Sequence, residues 1–160
     1  MQNRDGRKTL RFGLAAAAWL GVLFFFSGQT GTDSGELSGR VTRMLFGWLV
    51  DRGVEFEWLH HLVRKGAHFA IFAVEGFLTG MALLHAMRMR WAAVLTVAGC
   101  GAIAVLNELH QMTAEGRACN AADMAIDTCG AAAGLLLAVA VLHAFSATKR
   151  KATKYNMTGD

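Results

Sequence analysis

Four long stretches of the chain carry almost no charged residues, and polar or basic segments separate them. They cover residues 12–28, 66–87, 91–107 and 124–148. A helix needs about 17–25 mostly apolar residues to cross the hydrocarbon core of a bilayer. Each stretch is near or above that length, so the pattern predicts an all-α membrane protein with four transmembrane helices.

The composition supports this interpretation and indicates how the helices pack. Apolar residues make up 54% of the 160 residues, and the chain has 18 glycines and no proline. This suits uninterrupted helices that pack closely through small residues. GxxxG patterns begin at Gly76 and Gly130, which predicts that the second and fourth spans face each other. We expect one domain, residues 1–160, folded as a compact bundle.

Basic residues next to the spans predict the orientation. They precede the first span, fill the turn after the second and follow the fourth: Arg4, Arg7, Lys8, Arg11, Arg88, Arg90, Lys149, Arg150, Lys151 and Lys154. Segments on the cytoplasmic side of a membrane protein are usually rich in Lys and Arg, so we expect both termini to face the cytoplasm. The protein is predicted to be a multi-pass protein of the cell membrane. Five basic residues in the first outer loop weaken the argument for this orientation: Arg40, Arg43, Arg52, Arg64 and Lys65. The basic residues that give the chain its net charge of +4 lie beside the spans. They are therefore interpreted as signals for the orientation in the membrane, and not as a surface that binds nucleic acid.

Two segments near the first span leave alternatives open. A cleaved signal peptide is the alternative to a retained first span, but no small-x-small cleavage site follows the apolar run. The next segment, SGQTGTDSGELSG, is predicted to be a loop. Apolar residues then repeat at helical spacing over residues 41–49. They predict a short amphipathic helix that lies on the outer membrane surface or caps the bundle core.

The cysteines predict no disulfide framework. Cys100, Cys119 and Cys129 are an odd set without paired spacing, which also argues against a CxxC-type metal site. We expect Cys100 and Cys129 to be small helix-packing residues and Cys119 to be a loop residue.

The polar residues best suited to chemistry lie at the span ends that should share the outer face. These are Arg64, Lys65 and His68 before or within the second span, Glu108 and Gln111 after the third, and Arg117 and Asp123 before the fourth. Acids, cations and an imidazole in a partly dehydrated cleft are the groups that general acid–base chemistry uses. The helix directions predict that His68, Glu108, Arg117 and Asp123 converge in one cleft. Arg117 should pair with Glu108 or Asp123, because an acid at a dehydrated mouth needs a partner to stay charged.

Plainer explanations exist for several of these residues. Arg64 and Lys65 can extend to lipid headgroups, and Asp123 can cap the fourth helix. A metal site would need His68, Glu108, Asp123 and also His110, but this spacing matches no standard zinc pattern, so we expect no metal and no cofactor.

Acids and hydroxyl groups elsewhere give weaker signals. Glu75 and Asp127 lie inside spans, where an acid is energetically unfavourable, so they suggest proton-coupled transport. For Glu75 a hydrogen bond to a neighbouring helix is the alternative. The chain shows no inverted repeat or broken helix that would support transport. Serine nucleophiles are weak candidates because Ser27, Ser34 and Ser38 lie in no nucleophile-elbow sequence.

Three blocks of the sequence, in this order and spacing, resemble the signature blocks of the VanZ-like family of small membrane proteins. They are FFFSGQTGTDSGELSG, RKGAHFAIFAVEGF and NELHQMTAEGRACNAADMAIDTCGAAAG. The family's pattern carries over to Ser27, Gln29, Ser34, Ser38, Arg64, His68, Phe69, Gly76, Glu108, Gln111, Arg117, Asp123, Gly130 and Gly134. The chain departs from it at Phe72, Glu75, Asn107, Glu115 and Asp127.

The resemblance implies a role in the bacterial envelope, because the founding member is linked to resistance against the lipid-bearing glycopeptide teicoplanin. Our leading hypothesis is a protein that binds an amphiphile at the outer leaflet, either a lipoglycopeptide or a lipid-linked cell-wall precursor. The ligand-binding residues would be Gln29, Arg64, Lys65, His68, Glu108, Gln111, Arg117 and Asp123. The alternative is an intramembrane hydrolase or transferase in which His68, Glu108 and Asp123 are catalytic. Besides the ligand, we expect the lipid bilayer as partner and no nucleic acid.

Overall fold

The computed structural model describes the backbone of residues 5–157 and the side chains of residues 5–148. Within this part the chain folds as five α-helices without a β-strand: α1 (Gly6–Ser27), α2 (Gly31–Val50), α3 (Phe56–Ala86), α4 (Met89–Gln111) and α5 (Ala121–Met157). Arg4 and the side chains of Lys149, Arg150, Lys151 and Lys154 lie outside the described residues. The cytoplasmic orientation of the termini stays a prediction.

Four of these helices are long and apolar enough to cross a membrane: α1, α3, α4 and the part of α5 up to Thr148. This confirms the prediction of an all-helical protein with four spans. Every spanning helix begins earlier than the uncharged stretch that predicted it, because its polar first turns are helical too. Exposed apolar side chains such as Leu14, Phe25 and Leu136 cover the outside of the bundle. They suit contact with lipid tails, which satisfy no polar group.

Helix α2 is longer than the sequence pattern predicted. The segment predicted to be a loop is helical from Gly31 onwards. Thr30 caps the helix, because its Oγ1 accepts the backbone N–H of Asp33 at 3.1 Å. Further along, the Ser38 and Thr42 hydroxyl groups donate to carbonyl oxygens one turn earlier, at 2.8 and 2.7 Å. These local bonds let a segment rich in Gly and Ser stay helical.

The second half of α2 contains the predicted amphipathic segment. Met44 and Trp48 are exposed, whereas Thr42 is fully buried. A turn at Gly53, whose φ of 94° lies in the left-handed region, then reverses the chain into α3. Whether the exposed side chains lie on a membrane surface stays a prediction.

Helices α3 and α5 pack with their backbones in contact, as the GxxxG patterns predicted. A Cβ atom at Gly130 would overlap the Phe69 carbonyl oxygen, and one at Gly134 would overlap the Ala73 carbonyl oxygen. Only glycine permits such an approach, and close van der Waals contact is what holds helices together in lipid. This interface therefore fixes the relative position of the polar residues that the two helices carry.

The two ends of the bundle differ in polarity. At one end α1 begins beside the end of α3, where the Asp5 N–H donates to the His85 carbonyl oxygen at 3.2 Å. The ring of Phe12 stacks on His85 there, above an apolar core that includes Met81 and Ala138. We call the opposite end the mouth: the ends of α1 and α4, the starts of α2 and α5, and the loop of residues 112–120.

All three cysteines are free. Cys100 is buried, as expected of a packing residue, and Cys119 is exposed in the loop. The prediction that Cys129 is a packing residue is wrong, because its side chain is exposed. Cys129 precedes Gly130, which faces α3, so the helical turn directs it away from that contact.

Candidate functional site

The loop between α4 and α5 packs against the first turn of α2. The Gly31 N–H donates to the Glu115 carbonyl oxygen at 2.9 Å. A Cβ atom at Gly31 would lie 2.6 Å from the Gly116 carbonyl oxygen, and Gly116 itself has a φ of 74°. The two glycines therefore allow the close approach that brings Arg117 in between α1 and α2.

Arg117 joins this loop to two helices. Its Nη1 donates to the Ser27 carbonyl oxygen at 2.9 Å, and its Nη2 donates to Ser34 Oγ at 3.0 Å. The Ser27 carbonyl belongs to the last turn of α1, where carbonyls have no partner within the helix. The prediction that Arg117 pairs with Glu108 or Asp123 is wrong. Those acids bond to other groups, and Arg117 instead completes the end of α1.

A half-enclosed cavity of about 260 Å³ lies beside Arg117, between α1, α2, α3 and α4. Apolar atoms make up most of the surface of its wall, and its apolar lining residues are Leu23, Phe26, Leu37, Val41, Val63, Ala67, Ile71 and Phe72. The polar lining residues are Ser27, Gln29, Ser34, Ser38, Arg64, His68, Asn107, Gln111 and Arg117. Of the predicted ligand-binding residues, Gln29, Arg64, His68, Gln111 and Arg117 therefore line the cavity, and Lys65, Glu108 and Asp123 do not.

Two cations belong to this cavity, and their charges repel. Burial lowers the pKa of Arg117 below the ordinary value for arginine, and the charge of Arg64 lowers it further, whereas Glu108 and Asp123 act in the opposite direction. Arginine nevertheless stays protonated at physiological pH. A bound anion would offset both the lost hydration and the repulsion between the two guanidinium groups.

Lys65 and Asp123 form an ion pair that joins α3 to α5. Their side chains are only 22% and 13% exposed, so the contact is largely shielded from water. Asp123 lies in the first turn of α5, where the helix dipole also favours a negative charge. These contacts give the pair a structural role next to the cavity.

A third group of predicted residues lies deeper, at the junction of α3, α4 and α5. His68 Nδ1 lies 3.1 Å from Asp127 Oδ1. Glu108 Oε2 accepts the backbone N–H of Asn120 at 2.7 Å. Both carboxylates are fully buried, and Glu108 Oε1 and Asp127 Oδ2 have no hydrogen-bond partner. We call His68, Glu108 and Asp127 the carboxylate cluster.

The sequence pattern indicated Asp127, but its position inside the predicted fourth span concealed that it belongs to this group. Asp127 follows Asp123 by four residues and so lies on the same helix face, but the pattern indicated an acid of the membrane interior. His110 does not belong to the cluster, because its Nδ1 lies 3.2 Å from Ser27 Oγ. The four residues expected to converge do lie at one end of the bundle. Within this end they belong to different groups: Arg117 and His68 line the cavity, Asp123 pairs with Lys65, and Glu108 belongs with His68 to the carboxylate cluster.

Ser38 and His60 form a contact that the sequence did not predict. Ser38 Oγ lies 2.6 Å from His60 Nε2 and donates within its own helix to the Ser34 carbonyl oxygen at 2.8 Å. His60 Nδ1 is 3.8 Å from the carboxylate of Glu57. Because the serine hydroxyl is already bonded to its own backbone, the contact ties α2 to α3.

Comparison with known proteins identifies the family. A family model described as VanZ/LLP1 matches residues 12–143, which include the whole cavity and the carboxylate cluster. No curated protein and no solved structure shows significant similarity to the chain. The match confirms the resemblance that the three sequence blocks carry. The chain belongs to the VanZ/LLP1 family.

Proposed function

We propose that this VanZ/LLP1 protein binds the anionic headgroup of an envelope amphiphile in the cavity at the mouth. The observation that carries the proposal is that Arg64 and Arg117 line a cavity whose wall is otherwise largely apolar. An apolar wall with a few placed polar groups is typical of small-molecule sites. Two guanidinium groups suit a phosphate or carboxylate, because each can donate two parallel hydrogen bonds.

Arg117 is preorganised for this role. A guanidinium has five N–H donors, and the bonds to the Ser27 carbonyl and to Ser34 Oγ leave others available. Because the side chain is already held in place, little conformational entropy remains to be lost when an anion binds. Arg64 is exposed and contributes a second charge on the α3 side of the cavity.

The cavity volume limits how much of an amphiphile fits inside. The volume of about 260 Å³ lies just below the range of about 300–1,000 Å³ that is typical of small-molecule sites. This holds a headgroup and leaves the apolar chain outside. Phe26 and Leu37 line the cavity and are 38% and 45% exposed, so the chain can leave past them into the bilayer.

This limit favours a polyprenyl phosphate or pyrophosphate, the lipid carrier of cell-wall precursors, over a complete lipoglycopeptide. A phosphate group fits the volume, whereas the peptide core of teicoplanin exceeds it. Teicoplanin can engage the same site only through its fatty acyl chain or one of its anionic groups. By binding this carrier lipid, the protein would act in the bacterial envelope.

A binding measurement with undecaprenyl phosphate and detergent-purified protein tests the proposal. We expect Arg64→Ala to weaken binding at least about tenfold, since one charge-assisted hydrogen bond contributes roughly 1.5–3 kcal/mol. Arg40→Ala is the matched control. Arg40 is an exposed arginine of α2 that pairs with Glu36, so its removal should leave binding unchanged.

Three results of this experiment are informative. A parent protein that does not bind undecaprenyl phosphate, or equal affinities of Arg64→Ala and the parent, overturns the proposal. A parent that binds teicoplanin and not the phosphate lipid overturns the choice of ligand. Arg117→Ala is interpreted only with a check of folding, because Arg117 also connects α1 and α2.

One observation favours an enzyme as the second candidate. His68 lines the cavity and contacts a buried carboxylate through Nδ1, an arrangement that orients an imidazole for proton transfer. Such an enzyme would hydrolyse or transfer a phosphorylated lipid, with Arg64 and Arg117 holding the anion. Asp123 is paired with Lys65, so Glu108 is the better general base.

Turnover separates the enzyme from the binding protein. Incubation with undecaprenyl pyrophosphate should release inorganic phosphate, and Glu108→Gln should abolish this release while it leaves binding of the lipid largely intact. A parent protein that binds the pyrophosphate lipid and releases no phosphate contradicts the enzymatic alternative.

A further inference from the structure

Two acids of the carboxylate cluster are buried without enough partners. Glu108 and Asp127 are fully buried, and each keeps one oxygen atom that no hydrogen bond satisfies. Burying a charged or polar group without compensation is energetically unfavourable, more so at membrane depth than at a surface. Such a pair needs a further partner.

Two basic side chains near the cluster are bonded to other groups. Lys65 pairs with Asp123, and Arg117 donates to Ser27 and Ser34. His68 supplies a single contact, to Asp127 Oδ1. Asp127 therefore has the imidazole of His68 as its partner and Glu108 has the backbone N–H of Asn120. Among the described side chains, neither acid forms an ion pair with an ammonium or guanidinium group.

The geometry of the cluster matches that of a cation site. One nitrogen of His68 and one carboxylate oxygen each of Glu108 and Asp127 all lie within 4.8 Å of one another. Bond lengths of about 2.0–2.2 Å to a bound zinc ion place ligand atoms roughly 3–4 Å apart. Side-chain shifts of about 1 Å would therefore bring the three atoms onto one ion.

We propose that His68, Glu108 and Asp127 bind one divalent transition-metal ion, such as Zn²⁺, Mn²⁺ or Fe²⁺. An imidazole ligand favours this class over Mg²⁺ and Ca²⁺, which take oxygen ligands. The positive charge supplies the partner that the two buried acids otherwise lack. The sequence led us to expect no metal, and the set of residues considered there was different: Asp127 replaces Asp123 in the proposed site, and His110 takes no part.

The ion would lie at the junction of three helices and next to the cavity. Its ligands come from α3, α4 and α5, so binding also links the ends of these helices. Three protein ligands leave at least one coordination position free. Since His68 also lines the cavity, this position lies close to where a headgroup would bind. The metal proposal nevertheless stands without the amphiphile, because it rests on the geometry and burial of the carboxylate cluster alone.

Metal analysis of protein purified without a polyhistidine tag tests the site. After treatment with a chelator and dialysis against Zn²⁺, we expect about one zinc per chain, as three ligands of one site require. Asp127→Asn and Glu108→Gln should each weaken zinc binding at least about 100-fold, because even loss of an outer-shell partner costs 10–100-fold. The matched control is Glu75→Gln, which changes a buried acid of α3 that bonds to Thr79. It should bind zinc like the parent.

A second measurement protects the test against variants that fail to fold. X-ray absorption of the zinc-loaded parent should show nitrogen and oxygen ligands and no sulfur. A parent that takes up no stoichiometric Zn²⁺, Mn²⁺ or Fe²⁺ overturns the proposal. Zinc binding that survives both Asp127→Asn and Glu108→Gln, or a sulfur ligand in the absorption spectrum, overturns it as well.

Discussion

The interface between α3 and α5 and the interface between α2 and α3 are built in opposite ways. In the first the two backbones touch, since a Cβ atom at Gly130 would overlap the Phe69 carbonyl oxygen. In the second a Cβ atom at Gly39 would lie 3.8 Å from the ring of Phe56, an ordinary contact with a side chain and not with backbone. There the helices are tied by side chains, such as Ser38 with His60. We call the interface between α3 and α5 closed, because the backbones touch, and the interface between α2 and α3 open, because side chains connect the helices.

The difference shows where rigidity and space come from in a small membrane bundle. His68 directly precedes Phe69, and Asp127 lies three residues before Gly130, so the closed interface fixes the position of both cluster residues. The cavity lies on the open side, where α2 leaves a gap beside α3. His68 takes part in both regions, which places the chemistry at their boundary.

The largest effect should follow from a side chain introduced into the closed interface. Gly134→Ala places a methyl group against the Ala73 carbonyl oxygen, so α3 and α5 must move apart. We expect destabilisation of about 2–3 kcal/mol, as for other overpacked cores. Thermal unfolding in detergent should show a clearly lower melting temperature.

Gly35→Ala is the matched change at a glycine of α2 that faces open space. The new methyl group meets no neighbour, and alanine favours a helix over glycine by about 0.8–1 kcal/mol. The melting temperature should stay the same or rise slightly. If Gly134→Ala is as harmless as Gly35→Ala, the contrast between the two interfaces is wrong.

A smaller effect should follow from breaking the ion pair beside the closed interface. Lys65→Ala leaves the carboxylate of Asp123, which is only 13% exposed, without its cation. We expect a loss of roughly 1–3 kcal/mol, below the value for fully buried pairs because both groups keep some contact with water. The melting temperatures of Lys65→Ala, Asp123→Asn and the double variant measure the coupling. Strictly additive effects would show that the pair contributes nothing.

The smallest effect should be confined to α2. Thr30→Ala removes the cap that accepts the Asp33 N–H and should cost about 1 kcal/mol. Hydrogen exchange should then quicken in the first turns of α2 and stay unchanged in α3 and α5. Thr32→Ala, at an exposed position of the same helix, is the control. Equal exchange in both variants would show that the cap does not hold α2.

Sequence patterns predicted those features that depend on one helix or on a pair of helix faces. Uncharged length identified the four spans, and glycine spacing identified the contact between α3 and α5. The start of α2 was missed because the cap from Thr30 to Asp33 is a local bond that outweighs a composition rich in Gly and Ser. The helical spacing of apolar residues contains no information on such a cap.

The partners within the site could not be predicted from spacing. Arg117 bonds to the end of α1 because Gly31 and Gly116 let the loop approach, and this contact spans ninety residues of sequence. The role of Asp127 depends on how far α4 extends beside α5. Both the contact of Arg117 and the position of Asp127 depend on how separate helices lie relative to each other. The spacing of residues along one helix does not describe this.

Filling the cavity without changing its charges tests ligand binding most directly. Ala67 lines the cavity, and Ala67→Trp would occupy much of its 260 Å³. Ala70 is an exposed residue on the same helix and not part of the lining, so Ala70→Trp is the matched control. We predict that Ala67→Trp weakens binding of undecaprenyl phosphate at least about tenfold, the equivalent of about 1.4 kcal/mol, and that Ala70→Trp binds like the parent. Equal binding by the parent and both variants would contradict a ligand site in this cavity.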